Sequence, residues 1–163
     1  MPVIVRRATF EDAPIIADFA QKLVIQHQEY DANRFARMVS AKQAEFFYGR
    51  QTKIENSAVL VAELDKKVIG FAFIQFEEKN YADLLESAAW LHDIYVDEAY
   101  RGSNAGKLLL ETAIQAAKEF NASKLMLTVA IQNEKAQKIF ERTGFKTTMY
   151  EMMLDLTEQK NND

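Results

Sequence analysis

Two apolar runs constrain this chain more than any other feature: Ala58-Val-Leu-Val-Ala and Val68-Ile-Gly-Phe-Ala-Phe-Ile, joined through the polar triplet Asp65-Lys66-Lys67. Short runs dense in Val, Ile and Phe and split by a turn signal predict an antiparallel β-hairpin. Because polar residues do not alternate with apolar ones inside them, both faces of the resulting sheet have to be covered. Helices on both sides are then a requirement, and 163 residues suffice to supply them around one core.

The flanking patterns supply those helices. Residues 3–8 read as a short opening strand, and Thr9 and Asp12 stand at capping-box spacing before a helix. In that helix Ile15, Ile16, Phe19, Ala20 and Leu23 form one apolar stripe, with Pro14 in the tolerant first turn. A second helical pattern over 33–48 would turn Phe35, Met38, Val39, Phe46 and Phe47 inward and end at Gly49.

Further along, residues 77–86 are polar and read as a loop, and 88–96 as a fourth strand. Ala105, Leu108, Leu109, Thr112, Ala113, Ala116 and Phe120 mark the strongest amphipathic helix. Residues 124–129 read as a strand, 134–142 as a short helix capped by Gly144, and 145–156 as the last one or two strands. The predicted class is α/β: one domain over residues 1–157, with a mixed central sheet of about six to seven strands flanked by about four helices. The tail, 158–163, has no apolar residue and is expected to be disordered.

Composition removes several function classes. The net charge of −4 is spread along the chain rather than gathered into a basic stripe, which argues against a nucleic-acid partner. No apolar run approaches the ~20 residues that span a bilayer, and the opening residues lack the apolar stretch of a secretory signal; no membrane partner and a cytoplasmic location are expected. With no cysteine and only His27 and His92, a metal site is not expected.

The chemistry-bearing segment is Arg101-Gly-Ser-Asn-Ala-Gly-Lys, a small-residue turn between the fourth strand and the strongest helix. A helix N-terminus offers unpaired N–H groups and a positive dipole end, Gly102 and Gly106 permit close approach, and Arg101 and Lys107 add charge suited to a diphosphate. The residues alone fit either an anion site or an ordinary turn whose glycines relieve crowding. The spacing fits neither a Walker loop nor a dinucleotide fingerprint.

With four features in order, residues 3–155 resemble the GNAT superfamily of N-acetyltransferases. These are the opening Ile4-Val-Arg-Arg-Ala-Thr-x-x-Asp, the strand end Leu91-His-Asp-Ile-Tyr-Val, the loop from Tyr100 to Leu109, and Asn133-x-x-Ala-x-x-x-Phe-Glu-Arg-x-Gly-Phe. The resemblance implies a GNAT-like fold, acetyl-CoA as co-substrate, and a small or peptide primary amine attacking it directly in a ternary complex. It assigns the pyrophosphate to Arg101, Gly102, Ser103, Asn104, Ala105, Gly106 and Lys107. It lays the pantetheine arm along Ile94, Tyr95 and Val96, with Asn133, Ala136 and Phe140 on the other side. A backbone N–H near Ile94 or Tyr95 would meet the thioester oxyanion.

The sequence departs from that pattern twice. Asn104 stands where the family has its first loop glycine, so Asn would have to adopt any left-handed backbone there. Phe140 stands where many members carry the tyrosine that protonates the leaving thiolate; its spacing with Ala136, Ile139 and Thr143 is that of a packing residue. That departure leaves an acyl-CoA-binding module with weak or lost catalysis as the alternative function. Tyr95, Tyr100 and Tyr150 are candidate replacement donors, Tyr150 foremost.

His92, beside the cofactor edge, reads as the base or as a hydrogen-bonded histidine tucked beside Trp90, with Asp93 pointing to the opposite face. Tyr30, Phe73, Trp90 and Tyr81 could wall an acceptor pocket, and with Asp93 they form the candidate substrate contacts. Glu77, Glu78, Asp83 and Glu86 either attract a cationic amine or form a solvated acidic loop. His27 reads as solvated, and residues 149–156 could supply the edge of a homodimer.

Overall fold

A computed structural model of the chain describes residues 2–157, so the expected tail, 158–163, lies outside the described residues. In chain order the elements are β1 (Ile4–Arg7), α1 (Ala13–Tyr30), α2 (Ala41–Gln51), β2 (Ser57–Leu64), β3 (Lys67–Glu77), β4 (Ala88–Val96), α3 (Ala105–Glu119), β5 (Leu125–Met126) and α4 (Glu134–Thr143). They build one five-stranded sheet in the order β1-β2-β3-β4-β5, antiparallel throughout except for the parallel pair β4 and β5.

The central hairpin forms as its sequence predicts. Asp65 and Lys66 take φ of 49° and 65°, a left-handed pair whose twist suits a tight antiparallel connection. One alternation of these strands, including Leu60, Ala72 and Ile74, packs with Leu91 against Ala105, Leu109 and Ala113 of α3. The other, including Val59, Val61, Phe71 and Phe73, packs with Tyr95 against Ile16 and Phe19 of α1 and Ala44 and Tyr48 of α2. The runs are dense because both of their faces are core. Truncating a fully buried leucine such as Leu109 to alanine would cost about 2–5 kcal/mol.

The first turn is secured by charge. Thr9 N–H donates to Asp12 Oδ2 at 2.8 Å, and Arg6 forks onto the same carboxylate at 2.8 and 3.1 Å while its Nε reaches Glu63 at 3.0 Å. α2 corrects the expected span of 33–48. The true capping box is Ser40 with Gln43, each side chain bonding the other's N–H at 3.2 Å. Ahead of it, Asp31 accepts from the N–H groups of Asn33 and Arg34 and holds a turn instead of a helix. Met38, Phe46 and Phe47 are exposed, and Ala44, Tyr48 and Gly49 face inward. Gly49 lies inside the helix, where a Cβ would come within 3.0 Å of the Phe10 ring.

Past α4 the expected strands over 145–156 do not form, and the strand expected over 124–129 is reduced to Leu125 and Met126. Arg34 pairs with Glu151, and Asn33 Nδ2 donates to Asp155 at 2.6 Å, which ties the segment to the α1–α2 connection. The sheet therefore has five strands among the described residues, not six or seven. α4 itself ends at Gly144 with φ 110°, as its sequence predicts.

Candidate active site

The small-residue turn before α3 leaves β4 through a 3-10 turn, Glu98–Tyr100, and enters α3 at Asn104. Gly102 has φ 85° and Asn104 φ 74°, so Asn adopts the left-handed backbone that its position demands. No side chain caps α3, which leaves the N–H groups of Ala105, Gly106 and Lys107 without an intrahelical or capping acceptor. Among the described residues, Ser103 Oγ is the one buried side-chain oxygen or nitrogen with no hydrogen-bond partner. An orphaned hydroxyl beside uncapped N–H groups at a positive helix end fits an oxyanion such as a phosphate. Gly106 is close to Val96, whose Cγ2 a Cβ would approach at 3.8 Å. Arg101 turns back on β4: its Nε donates to Val96 O at 3.2 Å and its guanidinium lies over the Tyr95 ring. Lys107 is exposed and faces Glu111 at 3.8 Å.

β4 is paired on one side only along its second half. β5 meets it at Ala89 and Trp90 alone, while β3 follows it from Ala88 to Val96. Asp97 N–H donates to Ile69 O on β3, and the Tyr95 carbonyl also faces β3, where a Cβ on Gly70 would meet it at 2.6 Å. By strand alternation the peptide groups of Ile94 and Val96 face the open edge, and Val96 O meets Arg101 there. The edge donor nearest the expected oxyanion position is therefore Ile94, and Tyr95 turns its backbone inward.

The register also breaks once. Phe73 pairs with Asp93 but Ile74 with Leu91, so His92 is an extra residue, a β-bulge. The bulge corrects the expectation that His92 and Asp93 point to opposite faces: both lie on the α2 face. Tyr48 Oη donates to Asp93 Oδ2 at 2.7 Å. Phe73 packs edge-on against Tyr48 and Phe47 and lies near-parallel to His92, whose ring is also near-parallel to Trp90. His92 Nε2 contacts Glu77 Oε1 at 2.5 Å. Burial pushes the Asp93 carboxyl above its usual range, against the opposing hydrogen bond from Tyr48, and pushes the Tyr48 hydroxyl upward in turn.

The other candidates are placed as follows. Tyr30 ends α1, accepting from Gln26 Nε2 at 3.0 Å and packing edge-on against His27. His27 is not solvated: its Nδ1–H donates to Leu23 O at 2.8 Å and its ring meets Phe35. Tyr81 is 92% exposed and does not join the wall, whereas Phe47 packs edge-on against Phe73. Asn133 caps α4 by accepting from Ala136 N–H at 3.2 Å, and Ala136 is half-buried. Phe140 packs edge-on against Phe145 and leans on the α3 side of the core, as its spacing predicts. Tyr150 is 81% exposed and is not brought into contact with β4, while the Tyr100 hydroxyl accepts from Lys67 at 2.9 Å. Sequence reasoning missed Tyr48 and Gly70 as site residues. A helix register set at Ser40 and Gln43 would have turned Tyr48 inward; nothing local marks Gly70.

The Acetyltransferase (GNAT) family profile matches residues 24–145, and the chain belongs to that family. It is 25% identical over 143 residues to an uncharacterized N-acetyltransferase of Methanocaldococcus jannaschii, a match covering 86% of this chain and 59% of that protein. The chain thus spans less than two thirds of that relative's length. A tetramutant of the BH1408 protein of Bacillus halodurans shares the fold with a TM-score of 0.81 at 23% identity, covering 94% of this chain and 99% of that one. Aminoglycoside N-acetyltransferase AAC(6')-Iy in complex with CoA does so with a TM-score of 0.76 at 14% identity, covering 95% of each chain. No helix among the described residues is long and apolar enough to cross a membrane.

Proposed function

We propose that this chain is an N-acetyltransferase that moves the acetyl group of acetyl-CoA to a primary amine, small or peptide-borne, by direct attack in a ternary complex. The observation that carries this reading is the uncapped start of α3 with the orphaned Ser103 hydroxyl, set beside the one-sided edge of β4. The residues from Arg101 to Lys107 would hold the pyrophosphate, Ile94 and Val96 the pantetheine arm, and Asn133, Ala136 and Phe140 its far side. The thioester supplies an activated acyl group and a leaving thiol.

His92 takes the proton that the amine sheds as it forms the new C–N bond, since only the uncharged amine has a lone pair to attack with. The Ile94 N–H supports the oxyanion. As the C–S bond breaks, the thiolate leaves readily because a thiol's pKa is about 8.5. Water returns its proton, since the exposed Tyr150 is not held against β4. Trp90, Asp93 and Tyr30 border the acceptor. The reaction proceeds in the cytoplasm, and the exposed segment bearing Met149, Met152 and Leu154 joins two copies.

Calorimetric titration with acetyl-CoA and desulfo-CoA tests this, beside Gly106→Glu. Micromolar binding lost in the variant is expected; no binding by the intact chain overturns the reading. Phe140, packed on Phe145 and without a hydroxyl, favours one alternative, a CoA-binding module with lapsed chemistry. A large gain in turnover in Phe140→Tyr would support it.

A further inference from the structure

We infer that Glu77 is a positioning residue: its carboxylate receives the Nε2–H of His92 and so presents Nδ1 of that ring, lone pair outward, to the acceptor amine. The inference rests on the reading of His92 as base. It goes beyond that reading because Glu77 lies in β3, outside every motif that marks the site, and falls in a segment whose acidity alone reads as solvated loop.

Three observations converge. Glu77 Oε1 lies 2.5 Å from His92 Nε2, across the β3–β4 pair. A carboxylate accepts only, so the ring nitrogen facing it carries the proton, and in the neutral imidazole the other nitrogen is then the acceptor. The ring is flanked by two aromatic faces, lying near-parallel to Phe73, with centroids 5.6 Å apart, and to Trp90 at 6.1 Å. Finally, the bulge is what brings the group here. Phe73, Gln75 and Glu77 occupy one face of β3 by alternation, and the extra residue at position 92 places His92 on that face without moving Leu91 or Ile94 from the α3 side.

The proton balance follows. The attacking nitrogen gives its proton to Nδ1 as the C–N bond forms. The resulting imidazolium is paired with Glu77, which keeps its negative charge and takes no proton. The second ring nitrogen thus keeps a carboxylate partner at the moment the ring becomes cationic.

The test uses the full chain with 15N-labelled histidine; two ring spin systems, His27 and His92, are separated by a His92→Gln control. A downfield, slowly exchanging Nε2–H signal of His92 is expected in the intact protein and is expected to vanish in Glu77→Ala. In amine-acetylation kinetics, Glu77→Ala should lower kcat about 10-fold with the amine KM little changed, and Glu77→Gln should recover part of it; His92→Gln should lose about 100-fold. An intact protein without the Nε2–H signal, or a Glu77→Ala protein with unaltered kcat, overturns the inference. Failure to bind acetyl-CoA would instead overturn the acetyltransferase reading, and the spectrum would still decide whether the pair exists.

Discussion

Tyr48 donates its hydroxyl hydrogen to Asp93 across the α2–β4 contact at 2.7 Å, fixing a carboxylate that burial would otherwise disfavour. The raised Asp93 carboxyl makes the fold less stable as pH rises from the unfolded value, about 3.9, through the higher folded one, because the folded state holds its proton longer. Asp93→Asn keeps an acceptor for Tyr48 and removes the buried charge. It should gain about 1 kcal/mol, or about 2–4 °C in melting temperature, at neutral pH. Its amine KM should rise if Asp93 borders the acceptor. Tyr48→Phe strands the carboxylate and should cost about 1–3 kcal/mol, read from urea midpoints.

Asp12 behaves in the opposite sense. The Arg6 fork, helped by the Thr9 N–H, holds its carboxyl below the usual range against burial. Its contribution is therefore complete above about pH 4, the unfolded value, and is lost as pH falls through the folded one. Urea midpoints measured between neutral and acid pH should fall more steeply in the intact protein than in Asp12→Asn, which should already be about 2 kcal/mol less stable at neutral pH.

Gly70 is where β3 lets β4 come close. A methyl there would stand 2.6 Å from the Tyr95 carbonyl, a backbone atom that cannot swing away. Gly70→Ala should destabilise by about 1–3 kcal/mol and displace the open edge at Ile94 and Val96. Weakened desulfo-CoA binding in calorimetry, at a temperature where the variant is still folded, is the expected outcome.

The exposed run bearing Met152, at 92%, and Leu154, at 77%, tests the dimer. Sedimentation equilibrium should give a dimer for the intact chain and a monomer for Met152→Glu/Leu154→Glu. A monomeric intact chain would overturn the assignment.

How much was legible in the sequence varied with how local its cause is. β2, β3, β4 and α3 follow from unbroken patterns, and the Asn104 backbone and the Phe140 packing from single residues. α2 starts later than its pattern predicts because Phe35 and Met38 mimic a helical stripe that the Asp31 side chain interrupts. The segment after Gly144 reads as strand, yet among the described residues it pairs with no strand and instead meets Arg34 and Asn33, distant in sequence, through Glu151 and Asp155. The pairing of His92 with Asp93 on one face was not legible, since strand parity predicts the reverse and only the register between β3 and β4 reveals the extra residue.

That extra residue separates the proposed base from the architecture by one codon. Deleting His92 would leave Leu91 opposite Ile74 and Asp93 opposite Phe73 in an uninterrupted ladder, with the apolar core on the α3 side unchanged. A descendant of this chain could shed His92, keep its shape, and go on holding whatever the loop before α3 holds.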